Sequence, residues 1–283
     1  MLPVSLLSRA SVRVPGKLVL AGEYAVLEPG EPAVVAAVDR YALAERQEGE
    51  VVVDTAAFHD PATGRKLGLG SSSAVAVARA AFAHPGATPS ELLRAAREEH
   101  ERMGQQGGSG VDLAAACCGG VLLYRQGAEP ERLPVPGGLE LVVGWTGDEA
   151  RTGELAPRVR SALAARPDEA AAFRRLSRTG VEWLVRGLRE ADPDLVALGV
   201  SGGLAALRYL AEVTEVPILV PALDRLVEAA GRIGVPAKPS GAGGGDCGIA
   251  LVFGAGRAEE VRRAWREVGI VPLDVAISAA GVS

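Results

Sequence analysis

Positions 238 to 248 read KPSGAGGGDCG, and five of these eleven residues are glycine. In the interior of a helix or strand each glycine is unfavourable by about 0.5–1 kcal/mol relative to alanine, because it gives up more backbone entropy on folding. The run therefore needs something only glycine allows: left-handed backbone angles, or close approach of a ligand to the main chain. Two earlier segments share this character. GLGSSSA (68–74) precedes an apolar stretch, and GQQGGSG (104–110) is followed at once by VDLAAACC.

Composition bears on these segments through one residue type. Lysine and arginine total 30, yet only Lys17, Lys66 and Lys238 are lysine. Bias toward GC-rich codons turns a surface lysine into arginine at little cost. A lysine that persists marks a position where a compact ammonium differs in effect from a planar guanidinium. All three lie beside glycine-rich or proline-glycine segments: VPGKLVLAGEY, GRKLGLGSSSA and AKPSGAGGG.

Length and charge set the frame. A chain of 283 residues suits one large domain or two interlocked ones. Hydrophobic residues make up 48% and aromatics only 4%, so the expected core is aliphatic. A net charge of −5 disfavours non-specific nucleic-acid binding. No signal peptide and no uninterrupted apolar run of about 18 residues is evident, so the expectation is a cytoplasmic protein with no membrane partner. Cys117, Cys118 and Cys247 form no disulfide framework. With His59, His84 and His100 they show no zinc spacing, and they read as reduced, mostly buried residues.

Strands are expected at 11–14 and 17–28 around a Pro15-Gly16 turn, at 33–45 and at 50–54. A polar loop then leads to a helix over 72–84, capped by Ser71 or Ser72, and a second helix over 88–103. GGVLLYR, ERLPV and LELVVGWT read as strands. After about residue 150 amphipathic helices dominate, near 154–165, 168–190, 192–213 and 217–233. The glycine run, a strand (248–254), a helix (258–269) and a last strand follow. This order predicts an α+β fold with mixed sheets and a helix-rich C-terminal half. The expected division is residues 1–150 and 151–283, without a linker and with a shared cleft.

Taken singly the motifs are ambiguous. GLGSSSA fits an anion site, where glycines bend the backbone and helix amides point at a phosphate, and it equally fits an ordinary capped helix start. It is neither a Walker A loop nor a dinucleotide fingerprint. Asp112 fits a helix N-cap as well as a catalytic carboxylate. Lys17, in a turn before an apolar strand, gains weight from the scarcity of lysine.

Together, PGKLVLAGEYAVLEPG, VDR (38–40), KLGLGSSSAV, GSGVDLAAACCGG, GWTGDEARTGEL and KPSGAGGGDCGIAL resemble the GHMP kinase superfamily. Within it they are most similar to the phosphomevalonate kinases, over about residues 12–275. The resemblance implies a two-lobed fold, ATP and Mg2+ as cofactors, phosphomevalonate as acceptor, and a monomer or homodimer. Mevalonate kinase, another small-molecule kinase of the superfamily, and a non-catalytic binding member stay open as alternatives. It implies Lys17 and Asp112 as catalytic residues. It implies Lys66, Gly68, Leu69, Gly70, Ser71, Ser72 and Ser73 around the ATP phosphates, with Ser72 on the metal. For the acceptor it implies Glu23, Tyr24, Ser109, Arg151, Thr152, Lys238, Ser240, Gly241, Ala242 and Gly243. Glu101, eleven residues before Asp112, reads better as a solvated helix face. One departure stands out: only Thr55 to Arg65 connect VVVD to KLGLGSSS, where the family usually carries a longer insertion. That puts nucleotide-base specificity in question.

Overall fold

The computed structural model describes residues 11–150 and 152–283. Two sheets carry it, and every strand pairing among the described residues is antiparallel, so the expected mixed sheets are corrected to antiparallel ones. The first sheet holds β1 (Ser11–Ala21), β2 (Ala33–Gln47), β3 (Glu50–Asp54), β4 (Val121–Tyr124) and β5 (Glu131–Leu133). Strand β2 is long enough to pair with β1 along its length, with β4 at one end and with β3 at the other.

Segments 11–14 and 17–28 were expected as two strands. They form one strand that ends at Ala21, followed by a 3-10 turn over Ala25–Leu27. Pro15 has no N–H to give the ladder, yet it does not end the strand. The register slips instead: Pro15 faces Tyr41 and Gly16 faces Val38. Asp39 and Arg40 are left over on β2, and Asp39 takes its partners from near the end of the chain. Its N–H donates to Ala276 O, and its Oδ1 accepts from Ala276 N at 2.7 Å.

Helices α1 (Ser71–Ala83), α2 (Pro89–Arg102) and α3 (Val111–Cys118) pack on this sheet. Helix α2 starts on a capping box in which Thr88 and Glu91 satisfy each other's backbone amides, with Pro89 in the first turn. The buried face is aliphatic, with Val34, Val35, Ala74, Val77 and Leu113 at 2% exposure or less.

The second sheet has the order β7 (Ala237–Pro239), β8 (Cys247–Phe253), β6 (Leu139–Trp145) and β9 (Val271–Leu273). A cut at residue 150 would separate β6 from its partners β8 and β9. The chain also returns at its end. Ser278 N donates to Ala37 O, Val282 N to Ala116 O and Ser283 N to Arg13 O, which stitches 276–283 to the first lobe. Helices α4 (Thr152–Ala164), α5 (Pro167–Glu190), α6 (Pro193–Thr214), α7 (Pro221–Arg232) and α8 (Arg257–Glu267) complete the fold. Helix α6 has the length and composition of a membrane span, but it packs on α5, β7 and β8.

The short 55–65 connection closes on itself. Phe58 is fully buried, Leu67 N donates to Phe58 O, and Asp60 N donates to Arg65 O. It delivers the chain directly to the loop at 68.

All three cysteines are free; Cys117 and Cys247 are buried, and burial pushes each thiol well above its ordinary pKa. Burial also raises Cys118, with Arg132 opposing. A raised pKa leaves little thiolate. In native protein at pH 8 an aromatic disulfide reagent should label Cys117 and Cys247 about a hundredfold more slowly than in denaturant. Equal rates would contradict this packing.

Candidate active site

One cleft is lined by Lys17 and Val19 of β1, by Glu23 and Tyr24 just beyond it, by Gly68, by Ser109 and Asp112, and by Ser240, Gly241, Ala242 and Asp246. Four segments far apart in sequence thus meet at one place.

The loop before α1 is held by its backbone. Lys17 N–H donates to Leu69 O at 3.0 Å, while the Leu69 side chain is 1% exposed in the core. Leu69 therefore offers the cleft no side chain. Gly70 is the N-cap, at φ +90, and not Ser71 or Ser72 as expected. A Cβ on Gly70 would lie 3.0 Å from Lys17 Cγ, so this glycine makes room for the lysine stem. No side chain caps α1, which leaves its first amides to an anion. The three serines divide. Ser73 is buried and its hydroxyl donates to Gly70 O at 2.8 Å, so its side chain stays inside the loop. Ser71 is half-buried. Ser72 is exposed, with His100 Nε2 3.4 Å from its Oγ.

Asp112 sits in the first turn of α3, whose N-cap is Gly110. The capping reading of Asp112 is thereby excluded. Its carboxylate is 3.3 Å from Lys17 Nζ, with the lysine side chain 12% exposed and the aspartate 39%. Arg97 braces the loop before α3, donating to Ser109 O and to the Tyr124 hydroxyl, which itself donates to Ser109 O.

Most of the residues expected on the acceptor side are engaged with one another. Lys238 is fully buried, does not line the cleft, and gives its ammonium to Glu23 Oε1 and Pro239 O. Glu23 is 6% exposed and committed to that pair. Burial lowers the Lys238 pKa against the pull of Glu23. The Tyr24 hydroxyl donates to Ala242 O at 2.5 Å, and burial raises its pKa. Ser240 Oγ donates to Val19 O at 3.0 Å. Gly243 is buried, and a Cβ there would meet Ile218 O at 2.3 Å, so it serves the packing of the loop. Gly241 stays open to the cleft. Lys66 is exposed, and its N–H donates to Glu149 Oε1. Glu101 is exposed on α2 as expected. Arg151 and the Thr152 side chain lie outside the described residues.

Asp246 and His100 are additions. Asp246 has φ +54 and packs against Gly68: a Cβ on that glycine would sit 2.5 Å from the aspartate Cβ. Its Oδ1 accepts from Ala150 N at 2.9 Å. The D-C-G ending of the glycine run was the sequence signal that could have found it. His100 carried no motif.

The fold and cleft define a two-lobed protein with a backbone-built anion loop beside a lysine–aspartate pair. The family described as GHMP kinases C terminal matches residues 184–271. A phosphomevalonate kinase from Streptomyces sp. (strain CL190) is 29% identical, covering 95% of this chain and 97% of that protein. Its alignment spans 363 residues, more than the 283 here, so the relative carries segments that this chain lacks. A mevalonate kinase from Pyrococcus horikoshii is 31% identical over 96% of this chain and 82% of its own length. The Streptococcus pneumoniae phosphomevalonate kinase in complex with phosphomevalonate and AMPPNP shares the fold, with TM-score 0.81 and 23% identity over 94% of this chain and 99% of that one. The chain belongs to the GHMP kinase family.

Burial raises the Asp246 carboxyl above its ordinary 3.8, against the Ala150 hydrogen bond and the charge of Lys17, with Glu149 adding to the rise. A folded-state pKa above the unfolded one makes the ionised form a net loss to stability at neutral pH. That loss disappears as pH falls below the unfolded value. Asp246→Asn should therefore raise the unfolding midpoint at pH 7, with the gain shrinking toward pH 3. A gain independent of pH would assign the effect to the backbone alone.

Proposed function

We propose that this protein is a phosphomevalonate kinase, transferring the terminal phosphoryl group of ATP to phosphomevalonate and releasing ADP and diphosphomevalonate. The observation that carries the reading is the Lys17–Asp112 pair at 3.3 Å, placed where the uncapped start of α1 and the third glycine-rich loop meet. The named acceptor rests on the Streptomyces relative, which aligns along almost its whole length.

The chemistry follows from charge. A phosphate monoester has a second pKa of about 6 and is mostly dianionic at neutral pH. Its oxygen attacks the γ-phosphorus as the bond to the ADP oxygen breaks, and the leaving electron pair stays on ADP. No proton has to be removed from such an acceptor. The chain's task is positioning and stabilising charge on the transferring group. In this proposal the amides of Ser71 and its neighbours hold the ATP phosphates. Lys17 spans the nucleotide and acceptor phosphates, and Asp112 aims its ammonium. Asp246 and Asp112 both act on Lys17 by charge, while Lys66 balances phosphate charge at the rim. Gly241 and the walls at Ser109 and Ser240 shape the acceptor side.

Magnesium fits this donor set. Among the described residues no group of three or more His, Cys, Asp or Glu is arranged to hold a metal. A magnesium ion is ordinarily held by substrate phosphates, water and one or two protein oxygens, and the exposed Ser72 hydroxyl at the start of α1 is such an oxygen. When bound, it neutralises phosphate charge. The setting we propose is cytoplasmic, with small-molecule substrates and a monomer or homodimer.

ADP release from ATP and magnesium should require phosphomevalonate, with mevalonate giving no more than the acceptor-free rate. Turnover with mevalonate instead would move the protein to the other kinase of the pair. Lys17→Met should lower kcat/KM by about a thousandfold, as for loss of a transition-state charge stabiliser. Asp112→Asn should lose less, because its partner remains and no base is needed. Equal or reversed losses with the fold intact would make Asp112 an obligatory base.

A further inference from the structure

We propose that the buried pair Glu23–Lys238 is a positioning device that sets the acceptor half of the cleft and leaves the nucleotide half alone. The proposal rests on the phosphomevalonate kinase reading only for the choice of acceptor.

Three contacts join the end of β1 to the third glycine-rich loop, and a fourth holds Lys238 within its own segment. Lys238 donates to Glu23, and also to Pro239 O at 2.6 Å. Ser240 Oγ donates to Val19 O at 3.0 Å, and the Tyr24 hydroxyl donates to Ala242 O at 2.5 Å. Only one of the four carries full charges, and it is the most deeply buried, with side chains 0% and 3% exposed. Charges so placed are poor stabilisers, because desolvation offsets most of their attraction. Their use is to specify one arrangement, since a displaced loop would strand a charge.

The surroundings are cut to this lysine. Gly203, inside α6, faces its stem, and a Cβ there would lie 2.9 Å from Lys238 Cε and 3.1 Å from Cδ. A glycine inside a helix is disfavoured unless the space is needed. The wider, planar guanidinium of arginine has no room, which explains why lysine persists here in a chain otherwise rich in arginine. The residues the pair aligns, Tyr24, Ser240, Gly241 and Ala242, form one wall of the cleft. The start of α1 has its own tie through Lys17 N–H and Leu69 O, and it meets the third loop only at the far end, where Asp246 packs on Gly68 and Cys247 Sγ donates to Leu67 O.

Three variants test this. Glu23→Leu with Lys238→Met replaces the pair by apolar side chains and should fold with an unfolding midpoint at or above that of the parent. Its kcat/KM for the acceptor should fall by about tenfold or more, with the KM for ATP within about twofold of the parent. Gly203→Ala, which improves helix propensity but presses on the lysine stem, should show the same split. Lys238→Arg should not restore the parent behaviour. Amide hydrogen exchange supplies a readout independent of substrate identity: residues 240–246 should exchange faster in the double variant, and 68–74 should not. Parent-like exchange and parent-like acceptor kinetics in both the double variant and Gly203→Ala would overturn the proposal. Should the parent protein not use phosphomevalonate, the acceptor reading fails, and the exchange pattern alone decides on the pair.

Discussion

Lys17 is the point on which the site depends. Its N–H fixes Leu69 O, its stem crosses Gly70, and its ammonium reaches Asp112. One residue thus sets the distance between β1, the loop before α1 and the start of α3. The two helix starts are capped by glycines in the left-handed region; no side chain caps α1, and at α3 Ser109 Oγ takes only the first amide, that of Val111. Two partial positive charges are left facing a cleft that also holds a lysine. Such an arrangement is unfavourable on its own and suits an anionic guest.

The second lobe contributes constraint more than charge. The third glycine-rich loop wedges between the first lobe and the segment 146–150. Thr146 N donates to Asp246 O, and Asp246 N to Asp148 O. From the other side, Arg65 donates to Gly147 O at 2.7 Å. The glycines of KPSGAGGGDCG make these contacts possible. Main chain comes too close for a side chain at Gly243, from Ile218 O, and at Gly245, from Asp148 O and Ala150 N, and Asp246 is the one carboxylate among these glycines. The compact 55–65 connection leaves this junction intact. Its shortening concerns whatever a longer insertion would add beside the cleft.

Much of this was legible locally. The helices at 71–83, 89–102 and 167–190 follow from apolar periodicity and, for the last two, proline starts, and Lys17 and Asp112 were singled out through the scarcity of lysine and resemblance. What sequence reasoning missed is non-local. Pro15 signalled a break, but a register slip on β2 absorbed it. Strand β6 lies within the first 150 residues yet joins the second sheet. Glu23 and Lys238 are 215 residues apart, and the resemblance implied that both face the acceptor. Each found the other instead, and no local pattern encodes such a pairing. Ser73 looked the same as Ser72 in sequence. Helical rotation sends one hydroxyl inward and the other to solvent.

The account stands on direct transfer between two phosphates across the Lys17–Asp112 pair. Phosphorus NMR of a reaction mixture of protein, ATP, magnesium and phosphomevalonate follows that transfer directly. The account predicts that the acceptor's monoester resonance gives way to the coupled resonances of a diphosphate, in step with ADP. Accumulation of inorganic phosphate with the acceptor unchanged would contradict it.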